Sequence, residues 1–186
     1  MNRRELIKHI ALLTGSAVVG SEFFLSGCKS NDKEPVGFFT ERDISFFDEV
    51  AETILPKTNT PGAKDAEVGK FMAFYSADCY DELQLKTLKE GIKNLNDASD
   101  KKYGSDFMHV AAPQKQELLT EIDAEAKKYN GKNNGQPPHY FTLMKQLVLF
   151  GFFTSKPGVT QVLRYVPVPG KYEGCVDYKE GETSWA

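Results

Sequence analysis
The 186-residue chain contains three cysteines, three histidines and one tryptophan. Three cysteines are too few for a disulfide-dense scaffold or a four-cysteine zinc site. Only two histidines, His109 and His139, lie beyond the first few residues, and neither stands in His-x-x-x-His or Glu-x-x-His spacing. There is no Cys-x-x-Cys-His for covalent haem. No Gly-x-Gly-x-x-Gly follows a strand pattern and no Gly-x-x-x-x-Gly-Lys-Ser/Thr occurs, so the loops that cradle dinucleotides and nucleotide phosphates are missing. An excess of positive charge is missing too. Lys plus Arg is 23 and Asp plus Glu is 26, for a formal net charge of −3. A nucleic-acid footprint needs a basic face or stripe, so nucleic acid is not an expected partner. No apolar run approaches the roughly 20 residues of a spanning helix. What remains, 40% hydrophobic and 26% charged residues, suits one globular domain.

The first 27 residues read as an export signal of the lipoprotein type. Arg3, Arg4 and Lys8 make a basic start, and residues 10–20 are apolar and small. Leu25-Ser26-Gly27-Cys28 has the form of a lipobox, which makes Cys28 the acylated first residue of the mature chain. Asn2-Arg3-Arg4-Glu5-Leu6-Ile7-Lys8 resembles the twin-arginine export motif, with Asn2 where Ser or Thr is commoner. That route moves proteins already folded, and it places the mature chain on the periplasmic side of the cell envelope. The alternatives are a buried N-terminal helix and a general-secretion signal that carries two arginines. Residues 28–38 are polar at first, include Pro35, and read as a tether. Each acyl methylene buried in lipid contributes about 0.8 kcal/mol, and more than one chain makes attachment stable.

Residues 39–186 predict a single all-α domain of about five to six helices with an extended C-terminal tail. Thr40 and Asp43 open a first helix as a capping box, with Ile44, Phe47, Val50, Ala51 and Ile54 at helical spacing up to Pro56. A second helix would turn Ala66, Phe71, Phe74, Tyr75 and Cys79 inward. Asp81 can cap a third, with Leu85, Leu88, Ile92 and Leu95 facing the core. Residues 101–112 look irregular. Pro113 suits the first turn of a fourth helix that buries Leu118, Leu119, Ile122 and Ala126. Residues 130–138 are rich in Gly, Asn and Pro and read as a loop. Residues 140–153 are strongly apolar around Lys145, the pattern of a central buried helix or of a pair of buried strands. A short last helix is expected at 158–165. From residue 166 onward Pro and Gly are frequent, and a tail of that length must lie on its own domain or on a partner.

Few residues propose chemistry. Cys79 and Cys175 are the mature region's other cysteines. An oxidising compartment makes a bridge between them an expectation, and it would pin the tail to the second helix; the alternative is two free buried thiols. No base accompanies either, which argues against nucleophilic catalysis. No pair of carboxylates has catalytic spacing, and Asp78 and Asp81 suit helix termination and capping. Three readings of function stand: an accessory subunit, a stand-alone lipoprotein that binds a small ligand or an envelope partner, and a small enzyme using His109 or His139. Phe38-Phe39, Phe46-Phe47 and Phe150 with Phe152-Phe153 cannot all face one side of a helix, so core and partner surface both remain open for them.

Several segments together resemble the small-subunit family of gluconate 2-dehydrogenase, subunit 3. They are Thr53-Ile54-Leu55-Pro56, Thr60-Pro61-Gly62-Ala63, Asp78-Cys79-Tyr80 and Phe141-Thr142-Leu143-Met144-Lys145. The most specific is Gly151-Phe152-Phe153-Thr154-Ser155-Lys156-Pro157-Gly158, followed by Tyr165, Pro169-Gly170-Lys171-Tyr172 and Gly174-Cys175. The resemblance implies a non-catalytic partner of a large FAD-dependent subunit of the glucose–methanol–choline type, often with a cytochrome c subunit that takes the electrons onward. It implies that the small subunit carries the twin-arginine signal for a partner lacking one. It gives no catalytic, cofactor-binding or metal-binding residue in this chain.

Overall fold
The computed structural model describes residues 38–132, 137–168, 170–171, 174–177 and 179–185. Arg3, Arg4 and Cys28 lie outside the described residues. Five α-helices and one π-helical turn follow in order, with no sheet among the described residues.

Helix α1 (Glu41–Ile54) starts at the expected capping box. The Thr40 amide donates to Asp43 Oδ2 at 2.8 Å and the Asp43 amide donates to Thr40 Oγ1 at 3.3 Å. Its buried residues include Ile44, Phe46, Phe47, Val50 and Ala51. Helix α2 is Val68–Cys79 and α3 is Glu82–Tyr103. Asp81 caps α3, accepting from the Gln84 amide at 2.8 Å while Gln84 Oε1 accepts from the Asp81 amide. The helix runs two turns further than its last strongly apolar position, to Gly104, whose φ of 70° closes the last turn where a side chain would be strained. Helix α4 (Ala112–Gly131) has Pro113 in its first turn and buries the four expected residues, Leu118, Leu119, Ile122 and Ala126. It continues into the stretch expected as a loop. Helix α5 (Tyr140–Thr154) is the central element, packed against α1, α2, α3 and α4. The strand alternative for this segment is therefore set aside. A π-helical turn (Gly158–Val162) follows, shorter than the last helix expected from sequence.

Helix α2 departs from the expected face. Its buried residues are Val68, Gly69, Met72, Ala73 and Ser76, while Phe74 and Cys79 are exposed. Small residues win the inward positions because α2 lies close against α1. The Gly69 amide donates to Asp48 Oδ1 at 2.8 Å, and a Cβ at Gly69 would sit 2.5 Å from that same atom. The aromatic residues are displaced to the flank. The tail departs as well. Every described residue from Arg164 to Trp185 is exposed, so the described part of the tail is not buried against the helices. It closes on itself instead: the Arg164 amide donates to the Ser184 carbonyl at 2.8 Å, and the Arg164 guanidinium lies 4.7 Å from the Trp185 ring centre.

Cross-helix ion pairs rim the core. Buried Lys115 on α4 donates to Glu49 Oε1 on α1 at 2.8 Å and to the Met108 carbonyl. Asp43 on α1 pairs with Lys89 on α3. Asp123 on α4 pairs with Lys145 on α5 at 2.7 Å. No buried side-chain polar atom among the described residues lacks a hydrogen bond. No helix among them is long and apolar enough to cross a membrane.

Candidate partner-binding surface
The flank left by α2 carries a row of aromatic rings. Phe71 and Tyr75, one turn apart, stack with ring centres 5.2 Å apart. Phe150 of α5 meets both edge-on, at 5.5 Å from Phe71 and 5.2 Å from Tyr75. Tyr80 extends the row from Tyr75. Edge-to-face geometry of this kind adds about 0.5–1.5 kcal/mol per pair beyond simple burial. Of this row Phe150 is exposed, while Phe71, Tyr75 and Tyr80 are partly buried; Phe74 on α2 and Phe153 on α5 are further exposed aromatic residues. Phe74 is 52% exposed, Phe150 46% and Phe153 38%. Exposed single apolar residues are ordinary, whereas a contiguous aromatic patch marks a contact surface.

Two glycines hold this ridge in place. A Cβ on Gly151 would lie 2.5 Å from Phe71 Cδ1, so only glycine lets the ring rest on α5. At the end of α5, Ser155 Oγ donates to the Phe152 carbonyl at 2.6 Å and accepts from the Gly158 amide at 3.1 Å. A Cβ on Gly158 would fall 2.0 Å from the Phe152 oxygen. The run from Gly151 to Gly158 is thus a lock that ends α5 and sets the direction of Phe150 and Phe153. Phe152, between them, is buried and meets Phe153 edge-on. The aromatic pairs divide as their adjacency requires: Phe39, Phe46, Phe47 and Phe152 are core, whereas Phe38, Phe150 and Phe153 are exposed.

The Pro61-Gly62 loop is structural. Glu52 accepts from the Lys57 and Lys64 amides at 2.9 Å each, and a Cβ on Gly62 would lie 2.6 Å from Glu52 Oε1. Asp65 accepts from the Gly62 amide and from Lys57 Nζ.

The histidines stand apart. His139 caps α5, its ring nitrogen accepting from the Phe141 amide at 3.2 Å. Burial pushes its pKa below the usual histidine value, against the weaker pull of Glu125. His109 is exposed and its Nδ1 lies 2.6 Å from Asp106 Oδ1, a contact that lowers the Asp106 pKa. No group of three or more His, Cys, Asp or Glu residues among the described residues could hold a metal ion. Cys79, at the end of α2, and Cys175, in the tail, are both exposed free thiols; the bridge considered from sequence is not formed in this structure. A concavity of about 570 Å³ lies between α1, α3 and the loop before α4.

The buried ion pairs were not foreseen from sequence. Burial pushes the carboxyl pKa of Glu49 up, but hydrogen bonds from Lys115 and Lys64 outweigh it and the net direction is down. The same balance, with Lys89 and Thr40, holds Asp43 below the usual range. Asp48 has only the Gly69 amide as a close donor, so burial prevails and its pKa is raised.

Comparison with known proteins gives one match. The family model for gluconate 2-dehydrogenase subunit 3 fits residues 41–170. Neither the curated proteins nor the solved structures compared with the chain give a significant match.

Proposed function
The chain belongs to the gluconate 2-dehydrogenase subunit 3 family, and from that premise we propose that it is the non-catalytic small subunit of a membrane-associated, FAD-dependent sugar or sugar-acid dehydrogenase. Catalysis and FAD reside in a large partner subunit of the glucose–methanol–choline type, and a cytochrome c subunit accepts the electrons. The observation that carries this reading is the exposure of three aromatic residues on α2 and α5, Phe74, Phe150 and Phe153. Aromatic side chains are enriched in the buried centre of protein interfaces. The Gly151 to Gly158 segment contributes Phe153 and, through Gly151, the room in which Phe71 rests on α5.

In this reading the small subunit binds the folded flavoprotein before export. Arg3 and Arg4 supply the twin-arginine signal for both chains, and acylated Cys28 then holds the complex on the periplasmic side of the membrane. Binding only the native flavoprotein also stabilises it by mass action. The exposed tail, with Tyr165, Val168 and Trp185, offers the partner a second contact. Deleting this chain tests the escort role: the flavoprotein is expected to stay in the cytoplasm. Normal export of the flavoprotein in the deletion strain would overturn the proposal.

A further inference from the structure
We propose that the 570 Å³ concavity between α1, α3 and the loop before α4 is the membrane-facing side of the protein, and that its cations meet the phosphate headgroups of anionic phospholipid. The inference rests on the reading of Cys28 as the lipid anchor. If Cys28 carries the acyl chains, ten residues separate it from Phe38, a reach of at most about 35 Å. Phe38, the first described residue, therefore lies within that reach of the bilayer. Phe38 is 50% exposed and meets Phe39 edge-on. Lys89 Nζ sits 5.5 Å from the Phe39 ring centre, pairs with Asp43, and lines the concavity. The first described residues and the concavity thus share a wall.

The chemistry of that wall fits a headgroup layer. Arg42 and Lys93 line it and are exposed, and neither forms an ion pair with a carboxylate of the described residues. Lys89 lines it as well, paired with Asp43, and His109 lies against Asp106. The balance of the wall is positive on a chain that is negative as a whole. Phe38 and Met108, both exposed, flank the cations with apolar side chains able to enter the acyl boundary. Cations beside exposed apolar residues are the composition that binds the interface of anionic bilayers. Acyl chains supply the anchoring, and this face supplies orientation.

The test uses the acylated protein purified in detergent and reconstituted into phosphatidylcholine vesicles with or without phosphatidylglycerol. Amine-reactive labelling read by mass spectrometry compares Lys93 with Lys127 and Lys128, which are exposed on α4. A cation near an anionic surface gains about 1 kcal/mol, so Lys93 labelling is expected to slow by about fivefold in phosphatidylglycerol vesicles alone. Lys127 and Lys128 are expected to react at unchanged rates. Arg42→Gln is expected to reduce the protection of Lys93. Equal labelling of Lys93 in detergent, neutral vesicles and anionic vesicles would overturn the inference, as would protection of Lys93 by a co-purified protein and not by vesicles. An intact mass without acyl chains on Cys28 would instead overturn the anchor reading and the inference with it, which separates the two failures.

Discussion
Two regions of the molecule join helices in opposite ways. Around α1, α3 and α4 the junctions are closed by charge: Lys115 with Glu49, Lys89 with Asp43, and Lys102 with Glu117 and Glu121. Between α2 and α5 the junction is closed by aromatic rings, Phe71, Tyr75 and Phe150, whose outer faces stay in water. The first region pairs these groups with one another inside the chain. The second leaves apolar area uncovered that the fold could have buried, since the same helix hides Phe141, Leu147 and Phe152. The same helix thus buries Phe141 and Phe152 and displays Phe150 and Phe153.

The sharpest way to separate the regions is to damage the core they share. Leu147→Ala, at a position 2% exposed on α5, should cost about 3 kcal/mol, read as a lowered urea midpoint at constant slope. Lys115→Met keeps the aliphatic stem but leaves Glu49 with only Lys64 as its cation. It should cost about 2 kcal/mol, because Glu49 is only partly exposed and loses a buried partner. Gly151→Ala sits where the regions meet. The new methyl must push the Phe71 ring away, so a loss of about 1 kcal/mol is expected together with a changed environment of the ridge tyrosines.

Acid should act on the charged region and spare the aromatic one. Asp43, Glu49 and Asp123 have folded-state pKa values held below their ordinary ones. Stability from such groups is present above the unfolded-state pKa and is lost as pH falls through the folded-state value. Asp48 has the opposite sign, since its raised pKa favours the folded state at low pH. With three groups against one, the melting temperature should fall on going from about pH 7 to about pH 3. A melting temperature that rises over that interval would contradict the pairing described. The smallest stability effect should come from Phe74→Ser alone, within about 1 kcal/mol, because that side chain is about half in water already.

Much of the charged region's scaffold was legible in the sequence, for local reasons. The Thr40 and Asp81 caps, Pro113, and the apolar spacing of α1, α4 and α5 are short-range signals, and the helices form where these signals lie. The ion pairs were not legible, because Glu49 and Lys115 stand 66 residues apart and meet only in the folded chain. The aromatic region was misread at α2 because hydrophobicity alone assigns Phe74 and Cys79 to the core. What decides that face is how closely two backbones approach, and Gly69, Ala73 and Ser76 were the signal for it. For the Gly151 to Gly158 run, the sequence suggested importance through family resemblance. Its physical role as the lock on α5 required the Phe71 and Phe152 contacts.

The central claim is that the aromatic ridge holds the catalytic partner. It is tested most directly by purifying tagged wild-type protein and the Phe74→Ser, Phe150→Ser variant from native membranes and recording absorbance and subunit composition. The wild type should bring down a yellow flavoprotein subunit in stoichiometric amount. The variant should come down without it, since loss of central interface residues costs about 2 kcal/mol or more each, while it still unfolds in one cooperative thermal transition. A variant that retains the flavoprotein, or a wild type that purifies colourless and alone, would contradict the account.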